Sequence, residues 1–266
     1  MKLSLSEIST VNALFEDDAV AYAGAGFEGI GIWEMKLPQD DEANVELLRG
    51  LGLGVASCVP VVPSILPLGI PGMEGPPDPA DRIAALCESM HRLAAYEPEC
   101  VLVLTGPAID SDSRRVVVHG LQQIAAAARD AGVRLGLEPA HPAQHAQVSF
   151  VSTIADALAL LDEAELDDVG LMADTYNLWH ESPPALGAVA SRVTGLHVAD
   201  EPAEPGNTDR ALPGEGGTRS AEHVAALRAA GWDGYLDVEI FSTPDGFWAL
   251  PVEEAARRAH AAISRL

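Results

Sequence analysis

Runs that read as short strands alternate with Ala-rich runs of helical spacing along all 266 residues, and this alternation constrains the fold more than any other feature. The candidate strands are residues 3–6, 29–33, 54–58, 101–105, 134–138, 169–174, 193–198 and 234–239. Helical spacing marks 82–96, 114–131, 154–163, 221–230 and 252–266. Gly50, Gly132 and Gly231 stand where helices are expected to stop, because glycine readily takes the left-handed conformation that ends a helix. Strands that alternate with helices need crossover connections, and so pair in parallel. Such units at this length suit an α/β fold, a closed (β/α)8 TIM barrel, in a single domain spanning residues 1–266. An open doubly wound sheet is the alternative. Its glycine fingerprint is present in letters only: Gly24, Gly26 and Gly29 spell G-x-G-x-x-G but follow a helix and precede a strand, the reverse of the dinucleotide-binding order.

Hydrophobic residues make up 48% of the chain, enough for a substantial core at this length. The formal charge is −24. Affinity for a phosphate backbone comes largely from Lys and Arg, so this charge argues against nucleic acid as a partner. Cys58, Cys87 and Cys100 are odd in number and spaced for neither a disulfide framework nor a zinc site, which suits a reducing, cytoplasmic setting with packed thiols. The opening MKLSLSEIST holds no apolar core long enough for a signal peptide. Residues 50–73 carry no charge, but Pro60, Pro63, Pro67 and Pro71 interrupt them. Each proline removes a backbone donor that lipid could not replace, so a strand leading into a long apolar loop is expected, not a membrane span.

The stretch GLEPAHPAQH, residues 136–145, ends an apolar run on Glu138 and continues to His141 and His145. In a barrel, the reacting groups sit at the C-terminal ends of the strands. The fifth candidate strand ends in Glu138, the sixth in Asp174 and the eighth in Glu239, while the seventh carries His197 at its end. Singly, each is more often a cap, a surface charge or a satisfied core histidine. At successive strand ends they form one pattern. Three carboxylates and an imidazole in one pocket would repel or go unsatisfied without a cation. This oxygen-rich set with one nitrogen suits one divalent metal ion, Mn2+ first, with Mg2+, Co2+ or Fe2+ as alternatives. A six-coordinate ion would keep open positions for two adjacent oxygens of a hydroxy-ketone.

With these residues in view, the chain resembles the sugar phosphate isomerase/epimerase family, the xylose isomerase-like TIM barrels. The matching pieces are GFEGIGIWEMKL (26–37), GVRLGLEPAHP (132–142), MADTYNLWH (172–180), GLHVAD (195–200), RALPGEG (210–216) and AAGWDGYLDVEIFS (229–242). They span nearly the whole chain in order, and are specific to the superfamily without naming a substrate. The resemblance implies that Glu138, Asp174, His197 and Glu239 are metal ligands. It implies that Arg210 approaches the substrate or a ligand carboxylate, and that Trp33 and Glu34 belong to the pocket wall. One position departs. Many relatives have histidine three residues after the strand-six aspartate, where this chain has Asn177, which cannot titrate near neutral pH. His180, three residues further on, either compensates by binding substrate or is a surface residue.

The implied activity is isomerisation or epimerisation of a sugar or sugar derivative by proton transfer alpha to a carbonyl, through an enediolate that the metal stabilises. Glu138 and Glu239 are the expected base and acid, with His141 or His145 as loop histidines that either take part or simply cap. The proline-stiffened loop SCVPVVPSILPLGIPGMEGPP is expected to cover a hydrophobic group on the sugar or to form a subunit contact. Three alternatives stand beside this reading. One is a metal-dependent lyase of the same superfamily, cleaving a C-glycoside or dehydrating, with His141 or His145 as base. The second is a metal-dependent abasic-site endonuclease, which the acidic charge argues against. The third is a non-catalytic sugar-binding or scaffold subunit, which Asn177 would suit. The expected partner is a small sugar-like molecule, with neither nucleic acid nor membrane, and a homo-oligomer is open.

Overall fold

The computed structural model describes residues 1–70, 75–202 and 209–266. Its strands are β1 (Lys2–Ser6), β2 (Gly29–Trp33), β3 (Gly54–Val59), β4 (Val101–Val103), β5 (Leu135–Leu137), β6 (Gly170–Asp174), β7 (Val193–Val198) and β8 (Tyr235–Val238). They pair in parallel in chain order, and β8 returns to β1, so the sheet closes into a barrel. The connections carry α1 (Phe15–Ala25), α2 (Asp41–Leu51), α3 (Pro79–Leu93), α4 (Ser113–Ala131), α5 (Ile154–Glu163), α6 (Pro183–Ala188) and α7 (Ser220–Ala229), and α8 (Val252–Ile263) closes the chain. This is the closed alternative of the two considered. Gly24 lies inside α1, Gly26 caps it and Gly29 opens β2, so that glycine pattern does run from helix to strand.

The main core fills the layer between strands and helices, where Phe15, Tyr22, Leu86, Met90 and Leu121 are fully buried. A second cluster, Ile8, Trp33, Val59, Cys100, Leu102 and Met172, packs apart from it. Small residues on the strands make room for larger ones opposite. A Cβ on Gly31 of β2 would overlap the Asp237 carboxylate from β8.

Helix ends follow local chemistry. Asp40 caps α2 by accepting from the Ala43 N–H at 3.1 Å. This helix runs through Gly50, where an end was expected, and stops at Gly52 with φ of 75°. A glycine in an exposed last turn costs only about 1 kcal/mol, so the helix ends where the left-handed conformation is actually adopted. Gly132 caps α4 with φ of 75°, and Gly231 follows one residue beyond the cap of α7.

β5 and β8 stop one residue short of their expected ends, at Leu137 and Val238. Glu138 and Glu239 remain tied, donating their N–H groups to Val103 O at 3.0 Å and Val198 O at 3.3 Å. Both side chains thus leave the barrel rim from anchored backbone. Beyond β3, the loop folds back onto the end of β4: Leu104 N donates to Pro63 O, and Ile65 N to Leu104 O. Arg82 of α3 pins this loop through Ser64, with Nε on the carbonyl at 2.8 Å and Nη2 on Oγ at 2.6 Å. The loop's residues 71–74 lie outside the described residues. Among the described residues, no helix is long and apolar enough to cross a membrane.

Candidate metal centre and cavity

The structure brings Glu138, Asp174, His197 and Glu239 together. Each offers one ligand atom, all are buried, and these atoms lie within 4.8 Å of one another. His197 Nδ1 faces Glu239 Oε2 at 3.3 Å and Glu138 Oε1 at 3.8 Å. It nonetheless has no hydrogen-bond partner of acceptable geometry, although it is buried. A buried orphan nitrogen is costly. A nitrogen beside clustered carboxylates is what a divalent cation, in place of a proton, would satisfy, so the donor set fits such an ion.

Two side chains hold the carboxylates apart and in place. Arg210 Nη1 donates to Asp174 Oδ2 and to Glu239 Oε2, each at 2.9 Å. Its guanidinium lies over the rings of Tyr176 and Phe241, at 4.5 and 4.8 Å from their centroids. Asn177 Nδ2 donates to Glu138 Oε1 at 3.1 Å, while its Oδ1 accepts the His141 N–H at 3.2 Å. The asparagine is therefore a buried clamp on Glu138.

Beneath His197 lies a group that the sequence reading did not single out. Nε2 is 3.3 Å from Ser57 Oγ and 3.7 Å from Asp237 Oδ2. Ser57 donates to Asp237 Oδ2 at 2.7 Å, and Ser4 to Oδ1 at 2.8 Å. A proton kept on Nε2 by these acceptors leaves Nδ1 as the free lone pair, the tautomer a ligand needs. Strand alternation was the available signal, since Asp237 and Glu239 are two residues apart and share a face.

Burial pushes the Glu239 carboxyl up to about 7; Glu138 and Asp174 add to the rise, and His197 and Arg210 oppose it. For His197, burial works downward, but the carboxylates of Glu239, Glu138 and Asp237 outweigh it and raise the imidazole to about 10. The acids draw a proton onto His197 where they would otherwise draw a cation.

A cavity of about 320 Å3 opens above this cluster. Its polar lining comes from Glu138, Glu239, Arg210, Asn177 and Tyr176. Its apolar lining comes from Trp33, Leu102, Leu104, Phe241, Trp248 and the loop residues Pro63, Leu68 and Ile70, with Phe241 next to the Arg210 guanidinium. Phe241 and Trp248 were not anticipated. Phe241 lies two residues past Glu239, again on the inward face, whereas nothing local marks Trp248.

Other candidates fall elsewhere. His141 is not part of the cavity lining. Its ring stacks on Trp179, whose Nε1 lies against His141 Nε2, and its Nδ1 accepts the Ala143 N–H at 3.1 Å. His145 is exposed, and Gln144 and Val148 of the same loop line the cavity instead. His180 is exposed beside Trp179. Glu34 is buried away from the lining, where its Oε2 accepts from Ser89 Oγ at 2.6 Å and Val61 N at 2.8 Å.

A family model described as xylose isomerase-like TIM barrel matches residues 19–266. Inosose isomerase of Halalkalibacterium halodurans is 26% identical over 167 residues, covering 59% of this chain and 56% of that protein. 3-Dehydroshikimate dehydratase of Pseudomonas aeruginosa is 26% identical over 273 residues, covering 96% of this chain and 40% of that protein. The chain thus spans about half the length of these two relatives. Among solved structures, that of IolI protein with a bound zinc atom superposes with a TM-score of 0.81 at 20% identity, covering 100% of this chain and 97% of that one.

Proposed function

Because the chain belongs to the xylose isomerase-like TIM barrel family, we propose that it is a divalent-metal-dependent isomerase or epimerase acting on a small sugar-like hydroxy-ketone. The observation that carries this reading is the meeting of Glu138, Asp174, His197 and Glu239 around an imidazole nitrogen with no partner. These four residues would hold the ion. Mn2+, Mg2+, Co2+ and Fe2+ suit the donors, and the zinc of a structural neighbour adds Zn2+ to the set to be tried. When bound, the ion supplies positive charge that polarises a carbonyl and acidifies the adjacent C–H.

The chain's own groups move the proton. Glu239, with its carboxyl near 7, is suited both to take a proton and to return it at neutral pH. Glu138 is the second carrier, its Oε1 fixed by Asn177. Arg210 keeps Asp174 and Glu239 oriented and supplies fixed positive charge. Asn177 acts by positioning alone, as an amide does not titrate. His141 enters through its main-chain N–H, which orients Asn177. The apolar wall keeps bulk water from the reacting carbon.

A lyase that starts with the same proton removal is the second reading. The relative named as a dehydratase, which aligns with 96% of this chain, favours it. Here too Glu138 or Glu239 is the better placed base, since neither His141 nor His145 lines the cavity.

The test is hydrogen exchange into candidate ketoses in heavy water, followed by NMR with the metal-loaded protein. Exchange is expected in the parent and is expected to fall by roughly 10²–10⁴-fold in Glu138→Gln and Glu239→Gln, with the fold retained. Full activity in either variant removes that carboxylate from the mechanism. An accumulating alkene selects the lyase. Bound metal with no exchange on any ketose selects a binding protein.

A further inference from the structure

The cavity lining combines a polar cluster with a contiguous aromatic one. In the aromatic cluster, Trp33 and Trp248 have already committed their indole N–H groups. Trp33 Nε1 donates to Ser6 Oγ and Trp248 Nε1 to Ile240 O, each at 3.1 Å. Phe241 packs between them, with ring centroids 5.7 Å from Trp33 and 6.4 Å from Trp248. Leu102 and Leu104 continue the surface. Among the described residues these five side chains offer a ligand no free donor or acceptor, and Gln144 and Tyr176 are the polar lining groups outside the metal cluster and its clamps, so a polyol laid over the rings would leave hydroxyl groups without partners.

Charge narrows the occupant further. Arg210 is the only Lys or Arg lining the cavity among the described residues, and its Nη1 is engaged by Asp174 and Glu239. Residues 71–74 and 203–208 contain no Lys or Arg. A phosphate group would therefore find, besides the ion, only an arginine whose charge is already matched by two carboxylates.

We propose that the substrate is an unphosphorylated α-hydroxy ketone carrying an apolar, aryl-like group that packs on Trp33, Phe241 and Trp248. This rests on the proton-transfer reading above, which places the two oxygens at the ion held by the carboxylates. A pocket of this kind draws affinity from the buried ring and orientation from the few polar groups.

Three ketones share the unit CO–CH2OH and differ only in the other substituent: 2-hydroxyacetophenone (phenyl), dihydroxyacetone (hydroxymethyl) and dihydroxyacetone phosphate. Calorimetric titration of the Mn2+-loaded protein ranks them without any need for turnover. The phenyl ketone is expected to bind roughly tenfold or more tighter than dihydroxyacetone, and the phosphate no tighter than dihydroxyacetone. Trp248→Ala is expected to reduce that preference, and Phe241→Leu, which keeps the packing but loses the ring, is the second variant if the first misfolds. Equal or weaker binding of the phenyl ketone, tightest binding of the phosphate, or an unchanged preference in both variants overturns the inference. Mn2+ titration of the ligand-free protein separates the two levels. Absence of Mn2+ binding defeats the underlying reading, whereas Mn2+ binding with the wrong ketone order defeats the substrate class alone.

Discussion

His197 is prepared for a cation from both sides. Its Nδ1 faces the carboxylates, and their pull raises the imidazole to about 10. Over pH 6–9 the ion-free protein therefore keeps this proton, and a metal must displace it. Mn2+ affinity is expected to climb with pH by up to about tenfold per unit, levelling off as pH passes about 10. Below about pH 7, Glu239 contributes a second displaced proton. Calorimetry in buffers of differing ionisation heat counts the protons released, and an affinity unchanged between pH 6 and 9 would contradict the assignment of His197. From the other side, Asp237 and Ser57 hold Nε2. Asp237→Asn keeps the volume but removes the carboxylate that fixes the tautomer. It is expected to weaken Mn2+ binding by about 10–100-fold with a near-normal melting temperature. If binding is unaltered, the ring is oriented by packing instead.

At the scale of elements, the barrel explains which parts of the site can be read from sequence. Parallel closure puts every strand's C-terminal end on one rim, so Glu138, Asp174, His197 and Glu239 were legible as four strand ends. Asp237 was legible in principle by alternation on β8, but an acid pointing into a barrel reads as an error until Gly31 is seen to make room for it. Glu34 shows the limit. It ends β2 as its neighbours end theirs, yet Ser89 of α3 and Val61 of the next loop claim its carboxylate. Trp248 reaches the cavity from the short 3-10 turn Phe247–Ala249, which no periodicity announces. The loop after β3 is tied by backbone hydrogen bonds to the end of β4 and by one buried side chain to α3. Arg82 is buried and donates to Ser64 and to Pro76 O. Arg82→Ala strips charged donors from the buried Ser64 carbonyl and hydroxyl and from the half-buried Pro76 carbonyl, and is expected to cost about 3 kcal/mol in denaturant unfolding. Because Pro63, Leu68 and Ile70 line the cavity, ligand affinity should fall as well. A stable variant with unaltered affinity would show that the loop is held by its own apolar burial.

For the whole molecule, two electrostatic effects on stability act at different depths and can be pulled apart. The net charge of −24 is spread over the surface and opposes the compact state. Raising salt from 0.1 to 1 M shortens the screening length from about 10 Å to about 3 Å, so the melting temperature of the metal-free protein is expected to rise with salt. The proposed ion acts instead on a buried cluster, where screening is weak. At a free concentration of 100 times its dissociation constant, it would stabilise the fold by about 2.7 kcal/mol. For a chain of this size that is roughly 5–10 °C in melting temperature, and it should persist in 1 M salt. Glu239→Gln discriminates the two. It removes one charge from the site and hardly changes the total, so its response to salt should match the parent's while its response to Mn2+ collapses. Thermal melts of both proteins, with Mn2+ or chelator at low and high salt, make the comparison. If Mn2+ raises both melting temperatures equally, or only at low salt, the ion is binding the acidic surface and not the centre at the barrel mouth.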